Sequence, residues 1–188
     1  MRIVSGKHKG RRLNGPAGMV IRPTSDRARE AMFNILSHGD YAGPDGPMPQ
    51  GLAVLDVFAG TGALGLEALS RGAASVCFLE QDRVAARAIR ETARDMDEAD
   101  QVSVLIRDAI RPGQARDGFD LVLMDAPYRT GRSEPSLRAL ADLGWLRAGA
   151  ICCIELAKKE PFEAGTSFTV LDKRTYGAAR IVFLCWDN

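Results

Sequence analysis

The chain has 188 residues, 46% apolar and 26% charged, which suits one soluble globular domain with a sizeable core and a short appendage. No apolar run approaches the roughly 18 residues of a membrane span, and the opening MRIVSGKHKG has no apolar segment of a signal peptide, so a cytoplasmic protein is expected. The net charge of +1 is unevenly spread: residues 1–37 hold eight Arg or Lys against two acidic residues, a net +6, and the rest holds 17 basic and 22 acidic, a net −5. A basic head on a mildly acidic body points to a polyanionic partner.

In chain order, RIVSGKHKGRRL (2–13) pairs two short β-prone runs across a Gly/Lys turn and predicts a basic hairpin. RPTSDRAREAMFNILS (22–37) predicts a helix capped at Thr24 or Ser25, with Ala28, Ala31, Met32, Ile35 and Leu36 at helical spacing. HGDYAGPDGPMPQG, with four glycines and three prolines, predicts a linker over 39–51 between the head (1–38) and the main body (52–188). LAVLDVF, SVCFLE, VSVLIRD and FDLVLMD read as strands, AGAICCIEL as a fifth, and TSFTVLDKRTYG with ARIVFLCWDN as a terminal hairpin. Helices are expected in ALGLEALSRG, in DRVAARAIRETARDM with Asp82 as cap, and in SEPSLRALADLGWL. Strands joined by helices specify an α/β fold with a mostly parallel sheet. Cys77, Cys152, Cys153 and Cys185 lie in apolar, strand-like stretches without C-x-x-C spacing, so buried free thiols are expected and no metal site.

Open parallel sheets bind ligands beyond the carboxyl ends of their strands, where the strand order reverses. Asp56, Glu80, Asp108, Asp125 and Glu155 all fall at or near such ends. Carboxylates are costly to bury unpaired, so a shared polar cleft is expected.

The first strand runs into a literal G-x-G-x-x-G at Gly60, Gly62 and Gly65, and Glu80 lies twenty positions after Gly60, placed to accept the hydroxyls of a ribose. A nicotinamide dinucleotide and S-adenosylmethionine both fit that pattern. Asp56 favours the second: it would repel a pyrophosphate but accept from a methionine ammonium, directly or through water. Asp108 could accept from an adenine amino group. Phe58, Ala59 and Thr61 in the turn, Gln81 after Glu80 and Ala109 after Asp108 complete the candidate cofactor contacts.

The fourth strand ends in DAPY, Asp125 to Tyr128. Exocyclic amines of nucleobases are poor nucleophiles because their lone pair is delocalised into the ring. Two acceptors on the two N–H bonds would draw the nitrogen toward tetrahedral geometry and aim the lone pair at a sulfonium methyl. The Asp125 carboxylate supplies one acceptor and the Ala126 carbonyl the other, with Pro127 restricting the backbone before it. The ring of Tyr128 can stack on the base.

DAPY is similar to the (D/N/S)-P-P-(Y/F) motif of amino-group methyltransferases. With RIVSGKHKGRRL, RPTSDRAREAMFNIL and DVFAGTGALGLEALSRGA before it, in that order, nearly the whole chain resembles the RsmD family of bacterial 16S rRNA (guanine-N2)-methyltransferases. The resemblance implies a guanine N2 of small-subunit rRNA as target and S-adenosylmethionine as donor. It also implies a Rossmann-like, mostly parallel seven-stranded sheet carrying an N-terminal extension. On that reading Arg2, Lys7, Lys9, Arg11 and Arg12 would hold rRNA phosphates, in free rRNA or an assembling small subunit. Arg22 and Thr24 would fold back over cofactor or base. Two departures stand out: Ala126 replaces the usual Pro, and KRTYG puts Lys173 one residue farther from Tyr176 than the family's Lys-x-Tyr-Gly, with Arg174 in the matching place. Nothing demands a dimer, so a monomer is expected. The competing readings are an amino-group methyltransferase of another RNA or DNA base, a nicotinamide oxidoreductase, and an inactive RNA-binding protein.

Overall fold

The computed structural model of the chain describes residues 1–13, 26–38, 41 and 46–187. The expected helix caps Thr24 and Ser25, and Arg22, lie outside them. Seven strands, β1 (Ala53–Val57), β2 (Ser75–Leu79), β3 (Val102–Leu105), β4 (Phe119–Asp125), β5 (Leu146–Ala157), β6 (Phe168–Tyr176) and β7 (Ala179–Trp186), form one sheet in the order β3-β2-β1-β4-β5-β7-β6. The first five run parallel, and β7 lies antiparallel between β5 and β6. The mostly parallel seven-stranded sheet with a C-terminal hairpin is thus borne out.

The inner strands β1, β2, β4, β5 and β7 bury both faces, whereas β3 and β6 at the edges are partly exposed. Val54, Leu121, Leu123, Ile151, Cys153, Ile181 and Phe183 pack on the side of helices α1 (Asp26–His38), α2 (Ala63–Ser70) and α3 (Arg83–Asp95). Leu55, Val57, Val122, Met124, Cys152, Ile154 and Val182 pack on the other, against Leu137 and Leu140 of α4 (Ser133–Asp142) and Trp145. This two-sided burial explains the near-continuous apolar runs of the strands. Asp82 caps α3 as expected, accepting from the Val84 and Ala85 amides at 2.8 Å.

Two boundaries differ from the sequence reading by three residues or more. The third strand stops at Leu105, three residues short of Asp108. The fourth helix stops at Asp142 rather than Leu146, because Gly144 takes φ 75° and turns the chain into β5.

The basic head is built into the body. The expected hairpin narrows to a single bridge, Arg2 to Arg12, flanked by an Ile3 N–H to Arg11 carbonyl bond of 2.9 Å. Ile3 and Leu13 share one apolar cluster with Met32, Phe33 and Leu36 of α1, Leu69 of α2 and the sheet, and Met48 of the glycine-rich stretch joins it. Glu67 of α2 is the polar hub beneath: its fully buried carboxylate accepts from the Val4 and Ser5 amides at 2.7 and 3.0 Å and from Arg71 Nε at 2.7 Å. Arg29, also fully buried, has its Nε 3.7 Å from Glu67 and donates to the Arg2 carbonyl at 2.6 Å and to Asp26 at 2.8 Å. One of the eight cations counted in the head is therefore structural.

Candidate active site

The chain runs outward from β1 through β2 to β3 and then returns to the other side of β1 as β4. Loops leaving the carboxyl ends of β1 and β4 diverge at that reversal and leave a crevice. It holds a cleft of about 640 Å³, within the range of small-molecule sites.

Strand periodicity delivers the acids to it. Side chains alternate faces along a strand, so Asp125 follows Leu121 and Leu123 onto the face of α1, α2 and α3, and Glu155 follows Ile151 and Cys153. Asp125 and Glu155 are Cα partners in the β4–β5 ladder. Asp56, Glu80, Asp125 and Glu155 all line the cleft, so four of the five strand-end carboxylates converge as expected.

The fifth does not join them. The Asp108 carboxylate is engaged by Arg132 and by the Ile110 amide at 3.1 Å, and it is absent from the cleft lining, whereas Arg107 and Ala109 are present. Arg132 in turn sits over the ring of Phe58, 5.5 Å from its centroid. Phe58 lines the cleft with φ 61°, a left-handed conformation that costs a non-glycine residue about 1–3 kcal/mol and clusters at ligand sites.

Asp56 is buried and accepts the Gly65 amide at 2.8 Å, tying β1 to the first turn of α2. Burial drives its carboxyl well above the ordinary range, opposed by that amide and reinforced by the charges of Asp125 and Glu80. Glu80 accepts from Gly60 N–H at 2.7 Å and Asp82 N–H at 2.8 Å, which fixes the carboxylate at the floor of the cleft. An ionised carboxylate offers about four lone-pair sites, so acceptor capacity for a diol remains.

The three glycines divide by role. Gly60 and Gly62 need their positive φ of 54° and 76° to form the turn, and Gly60 lines the cleft. Gly65 is a packing residue: a Cβ there would meet Phe78 Cε1 at 2.4 Å. Neither Gly62 nor Gly65 lines the cleft, whereas Ala59, Thr61 and Gln81 do.

Asp125, Ala126, Pro127 and Tyr128 line the same cleft. The Tyr128 hydroxyl donates to Glu155 Oε1 at 2.6 Å. The β6–β7 turn, Tyr176 to Ala179, forms the facing wall, which gives the KRTYG segment a place. Met1 closes a further side, with its sulfur 3.5 Å from Thr61 Oγ1. Glu155, Met1 and the β6–β7 turn were not assigned roles from sequence. The strand-end position of Glu155 and the Tyr176-Gly177 pair of KRTYG were the available signals.

The acid-lined floor and the apolar walls of Phe58, Leu79 and Ala109 match the hydroxyls and the flat base of an adenosine group. Among the described residues no group of three His, Cys, Asp or Glu is placed to hold a metal, and no helix is long and apolar enough to cross a membrane.

The family model described as Conserved hypothetical protein 95, that of RsmD, matches residues 1–185. The chain belongs to the RsmD family. It is similar to the Ribosomal RNA small subunit methyltransferase D of Haemophilus influenzae, 31% identical over 181 residues, 94% of this chain and 89% of the relative. The Escherichia coli K12 protein of the same name is 35% identical over 156 residues, 82% and 74% of the two chains. A solved Escherichia coli structure described as a methyltransferase, yhhF, superposes with a TM-score of 0.83 at 29% identity, covering 100% of this chain and 98% of that one. The RsmD fold is the methyltransferase fold, and the methyl donor that family and fold imply is S-adenosylmethionine.

Of the sequence-derived RNA contacts, Arg2, Lys7, Lys9, Arg11 and Arg12 are all exposed. Three have intramolecular partners: Arg2 is 3.4 Å from Asp26, Lys7 pairs with Glu98, and Arg11 donates to the Asp95 carbonyl. Burial works to raise the Glu98 carboxyl, but hydrogen bonds from Lys7 and His8 outweigh it and hold the group below its usual range. Lys9 and Arg12 have no ion pair among the described residues.

Proposed function

We propose that the protein transfers a methyl group from S-adenosylmethionine to the exocyclic N2 of a guanine in 16S rRNA. The observation that carries this reading is the junction of two motifs in one cleft: the glycine turn after β1 and DAPY after β4, on either side of the strand-order reversal. The names of the relatives support small-subunit rRNA as substrate.

The cofactor half of the cleft is Asp56 and the Phe58–Gly60 turn after β1, Thr61, and Glu80 and Gln81 after β2, with Ala109 as an apolar wall. The sulfonium donor supplies an electrophilic methyl carbon. The base half is DAPY. Asp125 accepts one N–H of the amine, and the Ala126 carbonyl accepts the other. An alanine carbonyl serves as well as a proline carbonyl. Tyr128 provides a stacking face worth about 1–3 kcal/mol. The N–C bond forms from the amine lone pair as the C–S electrons pass to sulfur, and Asp125 accepts the proton released. Holding amine and methyl in line is the large contribution.

Residues 1–38 act as the RNA-engaging extension of a methyltransferase domain at 52–188, with Lys9 and Arg12 the cations best placed for phosphate. On this reading the enzyme works in the cytoplasm as a monomer, on 16S rRNA either free or in an assembling small subunit. The test is to map modified nucleotides in 16S rRNA from cells with and without the protein. One N2-methylguanosine present only with the protein is expected; a methylated adenine or cytosine, or no difference, would overturn the assignment.

A further inference from the structure

We infer that Glu155 selects guanine by accepting the ring N1–H beside the amine gripped by Asp125. This rests on the guanine-N2 reading above and adds what makes the base choice. Glu155 lies near the carboxyl end of β5, 2% exposed, and lines the same cleft as DAPY. The ladder pairs it directly with Asp125, on strands about 4.8 Å apart, and strand alternation sends both side chains to one face. Tyr128, whose ring stacks on the base, donates its hydroxyl to Glu155 Oε1 at 2.6 Å. That bond orients the carboxylate.

Base chemistry supplies the rest. Adenine, cytosine and guanine all carry an exocyclic amine. Only guanine has an N–H donor on the ring nitrogen next to it. Adenine N1 and cytosine N3 present lone pairs there, which a carboxylate repels. Two adjacent carboxylates therefore form an acceptor pair that matches guanine's N1–H and N2–H and no other amino base. An extruded base is read along this Watson–Crick edge, and a site built to bond a donor rejects analogues that lack it.

The probe is 16S rRNA carrying guanine or 2-aminopurine at the mapped target, introduced by ligating a synthetic segment. 2-Aminopurine keeps the 2-amino group but has a lone pair at N1. The wild-type protein should prefer guanine by about 10- to 100-fold in methyl transfer. Glu155→Gln, whose amide can donate to that lone pair, should lose most of the preference. Tyr128→Phe removes the hydroxyl but leaves the carboxylate, so it should slow both substrates and keep the ratio. A wild-type preference left unchanged in Glu155→Gln overturns the inference while the guanine-N2 reading stands. A collapse of the ratio in Tyr128→Phe alone does the same, since selection would then lie in the tyrosine hydroxyl. No wild-type transfer to guanine removes both.

Discussion

Gly65→Ala separates a packing glycine from a ligand-binding one. The added Cβ would lie 2.4 and 2.7 Å from Phe78 Cε1 and Cζ and 2.8 Å from Val76 Cγ1. Phe78 is fully buried on a strand bonded on both sides, so neither ring nor helix can yield without disturbing β2. Overpacking of this kind costs about 1–3 kcal/mol, and three contacts this short place it near the top of that range. Alanine returns about 1 kcal/mol of helix propensity. The net loss is about 2 kcal/mol, or a melting temperature lower by about 4–8 °C for a chain this long. Thermal unfolding followed by circular dichroism measures it. Calorimetric titration with S-adenosylhomocysteine well below the transition should show affinity little changed, because Gly65 is outside the cleft lining. An unchanged melting temperature with lost cofactor binding would refute this account of the third glycine.

Glu67→Ala strips the carboxylate from beneath the head and leaves Arg29 buried beside the gap. Urea denaturation should show a loss of about 3–5 kcal/mol, the usual result of breaking a buried ion pair from one side. Asp56→Asn changes how stability depends on pH. The folded-state carboxyl lies above its unfolded value of about 3.9, so its contribution is fully present below that pH and is lost as pH rises through the folded value. Wild type should therefore lose stability relative to Asp56→Asn over that window, measured as urea midpoints; parallel curves would contradict it. Replacing Lys9 and Arg12 with Ala should lower the slope of log affinity against log salt for 16S rRNA by about 1–2. Lys7→Ala should change it less, since Glu98 already holds that ammonium.

Periodicity exposed most of the architecture. Strands β1, β2 and β4 and the capped helix α3 stand within about one residue of where their apolar runs and Asp82 put them. Boundaries moved where a backbone feature overrode the pattern, as at Gly144. The cleft was legible as acids at strand ends, because position along a strand is written in the sequence. What each acid would bind was not. Asp108 met Arg132, 24 residues on, and Tyr128 met Glu155, 27 residues on. Such pairings follow from sheet order and register, which no local window contains. The head's charge likewise hid a structural arginine, since nothing around Arg29 announces that Glu67 would fold beneath it.

In the proposed reaction Asp125 prepares the amine for attack while other groups of the cleft hold the cofactor. The decisive experiment is single-turnover methyl transfer to 16S rRNA by Asp125→Ala, with S-adenosylhomocysteine affinity measured on the same preparation. Transfer should fall by about 10²- to 10⁴-fold with affinity nearly intact. Transfer at the wild-type rate, or a loss of affinity in step with the rate, would contradict it.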